Sequence, residues 1–214
     1  MGNETLNRRP LKTRSNRWAQ RCASWLVTTA VTPNQVSVAS IVFALAGAFV
    51  LLYGPPPWSL VGCAVAIQLR LLCNMLDGMV AVEGGKKSPD GALYNEIPDR
   101  IADSLFIVAA GYAVQLSWLG WCGALLAAVT AYIRVLGGSL GLPQDFRGPQ
   151  AKPHRMAALT LGCLAGAVEY ALRHSHYSLL AASWIIAVGS LITCGTRTRV
   201  IAQALRSRAA FPGT

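Results

Sequence analysis

The chain has 214 residues, of which 53% are hydrophobic and only 13% are charged, and its formal net charge is +10. A soluble domain typically has about a quarter of its residues charged, so this composition excludes an ordinary soluble fold. The positive charge does not indicate a nucleic-acid partner, because the Lys and Arg residues lie beside the ends of apolar segments. The six cysteines are scattered through apolar sequence without a CxxC pair, which argues against zinc, redox chemistry or a disulfide framework.

The first predicted element is an amphipathic helix within residues 11–31, where basic residues are mixed with tryptophans. A helix of this composition lies on a membrane surface, with its basic side toward the headgroups and its aromatic side toward the acyl chains. The Thr-Pro-Asn sequence at 32–34 ends this helix. Six apolar segments follow, each near the roughly 20 residues that span a bilayer. We place them at about 35–53, 58–82, 95–116, 118–140, 152–172 and 177–196.

The sequence therefore predicts an all-α polytopic membrane protein with six transmembrane helices, preceded by an amphipathic surface helix. We divide the chain into an N-terminal segment (1–31), a membrane domain (32–200) and a basic tail (201–214). The loops on one side of the predicted bundle contain a single basic residue, Arg173, whereas the other side collects the remaining Lys and Arg. By the positive-inside rule both termini are cytoplasmic, and the location we predict is a bacterial inner membrane.

One small-residue pattern lies in the fifth predicted span, where Gly162 and Gly166 form GxxxG. This pattern marks either a close contact between two helices of the bundle or the face of a homodimer. Both interpretations stay open from the sequence.

Acidic residues cluster at the cytoplasmic ends of the second and third predicted spans, where six of the nine lie between positions 77 and 103. An acid near hydrocarbon is costly, so each is a functional candidate. Helical spacing gives two polar stripes: Arg70, Asn74, Asp77 and Ala81 on one span, and Asn95, Asp99 and Asp103 on the next. If the two stripes face each other, they bring carboxylate and amide oxygens close together. Such a set of ligands suits Mg²⁺ or Mn²⁺ better than zinc.

Simpler structural roles compete for some of these residues. Asn95 could cap the third span. Glu96 and Arg100 have the i, i+4 spacing of a surface ion pair. Asp77 and Asp99 are harder to explain in this way, because each lies at the end of a span with apolar sequence on one side.

The stretch from Asn74 to Asp99 resembles the signature of the CDP-alcohol phosphatidyltransferase family, DxxDGxxARx8GxxxDxxxD. All spacings agree, and the residues kept from the signature are Asp77, Gly78, Ala81, Gly91 and Asp99. The six spans, the surface helix and the Thr-Pro-Asn sequence are also similar to the family. The first and third aspartates are replaced by Asn74 and Asn95, and the arginine is replaced by Val82.

The resemblance implies an enzyme of phospholipid biosynthesis that transfers a phosphatidyl group from CDP-diacylglycerol to a small alcohol and releases CMP. It implies Asp99 as the general base and two Mg²⁺ or Mn²⁺ ions on the motif positions. The candidate metal ligands are Asn74, Asp77, Asn95, Asp99 and Asp103, and the candidate CDP-binding residues are Asn34, Gly78, Ala81 and Gly91.

The two asparagines remove charge from this metal site and predict weaker metal binding. Asp103 or Glu96 could compensate for the lost carboxylates. The alternatives are a single tightly bound metal ion, or a catalytically impaired protein that binds the CDP-lipid without turnover.

A basic rim completes the predicted site. Arg134 resembles a family position, and Lys152 and Arg155 follow at the start of the fifth span. This rim would hold either an anionic acceptor, such as a phosphorylated polyol, or the anionic face of the membrane.

Arg70, inside the second span, needs a phosphate or an acid as its partner, with Asp77 and Asp103 as candidate acids. A transporter is disfavoured, because transporter sites usually lie near the membrane midplane.

Overall fold

The computed structural model describes residues 17–86 and 88–210, and the regular structure in these ranges is entirely α-helical. Residues 1–16, with most of the predicted basic N-terminal segment, and residues 211–214 of the predicted tail lie outside the described ranges. The helices in chain order are α1 (Arg17–Thr28), α2 (Pro33–Tyr53), α3 (Trp58–Glu83), α4 (Gly91–Ala113), α5 (Ser117–Ser139), α6 (Lys152–Arg173) and α7 (Tyr177–Ala210).

Five of these helices, α2, α3, α5, α6 and α7, are long and apolar enough to cross a membrane. The chain is therefore a polytopic membrane protein, as predicted. The third predicted span corresponds to α4, which has 23 residues but carries too many charged residues to count among the five. The last helix continues to Ala210 instead of ending near 196, because the residues beyond 196 are mostly good helix formers.

Two helix starts explain how the first motif residues are positioned. α2 begins with a capping box, in which Thr32 and Gln35 satisfy each other's backbone N–H groups. α4 begins at Gly91, after Asp90, four residues earlier than predicted. Asn95 therefore lies inside the helix and does not cap it, so the capping interpretation was wrong.

The bundle packs closely because α2 presents small residues to its neighbours. A Cβ atom on Gly47 would lie 2.6 Å from the Cβ atom of Ala66 on α3 and 2.7 Å from Cε1 of Phe106 on α4. α2 therefore holds α3 and α4 against its two sides. Phe106 and Ile67 are buried in the same apolar core as Met156 of α6. This core fixes the positions of the polar halves of α3, α4 and α6.

The GxxxG pattern of α6 forms a helix contact within the chain. A Cβ atom on Gly162 would collide with Ala182 of α7, and one on Gly166 would lie 3.9 Å from Leu179. Both glycines are thus covered by α7, which matches the interpretation of the pattern as a contact between two helices of the bundle.

The turn between these helices is closed by Glu169, whose carboxylate accepts hydrogen bonds from the backbone N–H groups of Tyr177 and Ser178 at 2.8 and 2.7 Å.

Candidate active site

The centre of the site is a buried ion-pair cluster between α3 and α4. The Nη2 atom of Arg70 lies 2.9 Å from Oδ1 of Asp99 and 2.7 Å from Oδ1 of Asp103. It also donates to the backbone carbonyl of Asp99 at 3.2 Å. The side chains of Arg70, Asp99 and Asp103 are 0%, 6% and 2% exposed. The sequence predicted an acid or a phosphate as the partner of Arg70, with Asp77 and Asp103 as the candidate acids. The structure pairs Arg70 with Asp103, and with Asp99 instead of Asp77.

Two cations from the start of α6 complete this cluster. Lys152 forms an ion pair with Oδ2 of Asp99, and Arg155 lies 3.2 Å from Oδ2 of Asp103. Arg155 also donates to the carbonyl of Gln150 at 2.6 Å and to Thr130 at 3.3 Å. Each carboxylate is therefore ion-paired through both of its oxygens. The long loop before α6 is tied to the bundle by the same arginine.

The second-span motif residues face this cluster. The side-chain amide of Asn74 donates to Oδ1 of Asp99, so the two predicted stripes meet. Asp77 accepts a hydrogen bond of 2.5 Å from Oγ of Ser37 on α2, and both side chains are buried. Ser37 was missed by the sequence analysis. Its signal was helical spacing, because Ser37, Ser40 and Ala44 form one small-residue stripe of α2.

The remaining predicted residues lie at the edge of the site. Asn34 donates to Oγ of Ser88 at 3.3 Å, and a Cβ atom on Gly91 would lie 3.3 Å from the same oxygen. Gly78 and Ala81 are half-buried on α3. Asn34, Ser88 and Gly91 are thus adjacent. This edge is joined to the α1–α2 turn by Lys86, which donates to the carbonyl of Thr29 at 2.8 Å.

Arg134, on α5, pairs with Glu96 of α4 and not with the carboxylates of the buried cluster. Its Nη2 atom lies 2.5 Å from Oε1 of Glu96, and its Nη1 atom lies 2.8 Å from Oε1 of Gln144. The predicted pair of Glu96 with Arg100 is present at the longer distance of 3.9 Å. Glu96 thus bridges α4 to α5, which the sequence analysis did not anticipate.

The fit of this donor set to divalent cations follows from the charges. Within the described residues, no three His, Cys, Asp or Glu side chains are positioned together to hold a metal ion. Asp99 and Asp103 are ion-paired with the buried Arg70 and Arg155 and with the half-buried Lys152. Asp77 and the amide oxygen of Asn74 lie one turn apart on α3 and suit one divalent cation, whereas Asn95 is exposed on α4 and makes no hydrogen bond to the cluster among the described residues. A second cation would need carboxylate oxygens that Arg70, Lys152 and Arg155 already occupy, so two cations do not fit.

The fold and the site define an integral membrane protein whose polar centre joins the middle of α3 and the middle of α4 to the first turn of α6. The profile of one family, CDP-alcohol phosphatidyltransferase, matches residues 30–195. The chain belongs to this family. It is an enzyme of phospholipid biosynthesis that transfers a phosphatidyl group from CDP-diacylglycerol to an alcohol.

Several characterised relatives share most of the chain. A phosphatidylinositol phosphate synthase of Mycobacterium marinum is 31% identical over 182 residues, which are 82% of this chain and 75% of the relative. One of Streptomyces avermitilis is 28% identical, over 80% of this chain and 72% of the relative. An archaetidylinositol phosphate synthase of Aeropyrum pernix is 34% identical, over 67% of this chain and 72% of the relative.

Solved structures share the fold. The crystal structure of the phosphatidylinositol phosphate synthase of Mycobacterium tuberculosis with CDP-DAG bound has a TM-score of 0.72 and 24% identity. It covers 87% of this chain and 94% of that protein. A second structure of the same protein, in complex with manganese and citrate, has a TM-score of 0.71, also at 24% identity, and covers 86% and 88%.

Proposed function

We propose that the acceptor alcohol of this enzyme is a phosphorylated polyol, of which inositol phosphate is the first candidate. The observation that carries this proposal is the ion pair between Lys152 and Asp99. It places a cation that can bind the acceptor's phosphate beside the carboxylate proposed to deprotonate the acceptor's hydroxyl. The relatives are named phosphatidylinositol phosphate synthase and archaetidylinositol phosphate synthase, and these product names support the same acceptor.

The proposed roles in transfer use this chain's own side chains. Lys152 and Arg134 bind the acceptor phosphate, and Arg155 holds Asp103 through an ion pair. When the acceptor phosphate draws Lys152 away, Oδ2 of Asp99 is left with the longer 3.8 Å contact to Arg100 and takes the hydroxyl proton. The resulting alkoxide forms a new O–P bond with the lipid-side phosphorus. The bond from that phosphorus to the CMP oxygen breaks, and CMP leaves with the electron pair.

Donor binding is proposed at the edge formed by α2, α3 and α4. Gly78, Ala81 and Gly91 lack bulky side chains, so the CMP part can approach the backbone there. Asn34 offers an amide to the nucleotide. One Mg²⁺ or Mn²⁺, held by Asp77 with the amide oxygens of Asn74 and Asn95, would supply charge neutralisation for the pyrophosphate when bound.

The proposed placement in the membrane follows the helices. We propose α4 as the sixth span, because it has 23 residues and a helix of this length extends about 34 Å. We propose α1 as the surface helix, since Ala23 packs on Met79 of α3 while Trp25 is 67% exposed. Both termini are then cytoplasmic in a bacterial inner membrane. The proposed divisions remain 1–31, 32–200 and 201–214, and we propose that a homodimer would form through faces other than the covered glycine pair.

The test is CMP release from CDP-diacylglycerol by the purified protein with Mn²⁺. The acceptor panel contains inositol phosphate, glycerol phosphate, free inositol, glycerol and serine. We expect release with a phosphorylated polyol and little with the unphosphorylated alcohols, because only the former engages Lys152.

Two other results would contradict this proposal. Release with free inositol or serine would refute a phosphorylated acceptor. Binding of CDP-diacylglycerol with no release under any condition would favour the alternative, a catalytically impaired protein that binds the CDP-lipid.

A further inference from the structure

Two carboxylates of the four-aspartate signature are absent from this chain, because Asn74 and Asn95 occupy their positions. A buried arginine lies one helical turn before Asn74, at position 70, outside the signature. Arg70 and Asn74 both contact Asp99. The lost negative charge at position 74 and the positive charge of Arg70 therefore both weaken the attraction for a cation there.

Arg70 is placed to act as a cation toward the motif carboxylate. Its guanidinium is fully buried and contacts Oδ1 of Asp99, the oxygen that Asn74 also reaches. Its second carboxylate partner is Asp103 at 2.7 Å. Burying a guanidinium without carboxylate partners is costly, so Arg70 and this pair of acids hold each other in place.

The carboxylates of the cluster already have cations beside them without a metal. Three carboxylates are buried there, Asp77, Asp99 and Asp103. The cations that pair with Asp99 or Asp103 are at least as many: Arg70, Arg100, Lys152 and Arg155. A first divalent cation at Asp77 would make the cluster positive, and a second would be repelled at short range. Two atoms of Arg70, Nε and Nη1, also lie buried without a hydrogen-bond partner among the described residues. They therefore leave donor capacity for an anionic oxygen in the cluster.

We propose that Arg70 replaces one of the two divalent cations of the four-aspartate site, so that this chain holds one metal ion. Arg70 is thereby a positioning residue, which supplies a fixed positive charge to Asp99. The inference rests on the proposed metal ligands Asn74, Asp77 and Asn95, and it is independent of the acceptor.

The experiment measures the number of Mn²⁺ ions bound per purified chain by calorimetric titration. Four proteins are compared: the wild type, N74D/N95D, N74D/N95D/R70L, and Arg173→Gln as the matched control. Arg173 is exposed at the far end of α6. We expect one ion for the wild type and for Arg173→Gln. N74D/N95D should bind one ion about tenfold or more tightly, because ligand charge tunes affinity. The triple variant should bind two.

Either of two results overturns the proposal. One is a wild type that binds two Mn²⁺ ions, which needs no variant to fold. The other is a folded triple variant that binds no more ions than N74D/N95D. The count of bound ions does not depend on turnover, so failure to transfer to phosphorylated polyols would refute the proposed acceptor while leaving this measurement intact.

Discussion

At the residue scale, the site depends on how Asp99 is surrounded. One oxygen accepts from Arg70 and Asn74, and the other pairs with Lys152. A carboxylate held through both oxygens has a fixed orientation, which suits a group that must face a bound acceptor. It also means that substrate has to displace a cation before proton transfer. The proposed acceptor phosphate provides that displacement.

We predict that Asp99→Asn lowers CMP release by about a thousandfold, because general-base catalysis typically contributes factors of this order. The measurement is CMP release at saturating CDP-diacylglycerol. Glu169→Gln is the matched control, since it makes the same change in the α6–α7 turn, and it should leave release unchanged. Full activity of Asp99→Asn would rule out Asp99 as the base.

At the element scale, the helices approach closely where glycine faces a neighbour. The backbones of α4 and α5 meet at Gly111 and Gly120, where a Cβ atom added to Gly111 would lie 2.5 Å from the backbone of Gly120. Gly162 does the same for α6 and α7. Without a hydrophobic driving force between helices in lipid, this close packing supplies much of their association.

We predict that Gly162→Ala destabilises the protein by about 1–3 kcal/mol, because the added methyl group collides with Ala182 and separates the helices. Gly195→Ala is the control. An added Cβ atom there meets nothing within 4 Å, so the helix-favouring substitution should be neutral or stabilising. Reversible unfolding in detergent measures both. Equal stability of the two variants would contradict the packing described for α6 and α7.

At the scale of the whole molecule, the buried charges extend from the middle of α3 and α4 toward the end of the bundle where α6 begins. The cluster joins α3, α4 and α6, while the opposite turns contain Arg173 as a basic residue. A charged site at one membrane face suits a donor with lipid tails in the bilayer and a nucleotide in water. It also agrees with the proposed cytoplasmic position of this end.

We predict that an impermeant maleimide labels Arg173→Cys in intact bacterial cells but labels Ser207→Cys only after the inner membrane is permeabilised. Both positions are exposed, and both variants are made with Cys122→Ser, which removes an exposed native thiol. This result is expected because the positive-inside rule places the C-terminus in the cytoplasm. Labelling of Ser207→Cys in intact cells would reverse the proposed orientation.

The sequence by itself determined the class of fold and the motif residues. Apolar length requires helices, since a backbone in lipid must satisfy its own hydrogen bonds, and spacing placed Asn74 and Asp99 on facing stripes. Tertiary structure decided what local pattern does not encode. It showed that Asn95 lies inside α4 and that Ser37 binds Asp77. Ion pairing depends on distances between residues far apart in the chain, so only the packed helices could show Arg70 neutralising Asp99 and Asp103.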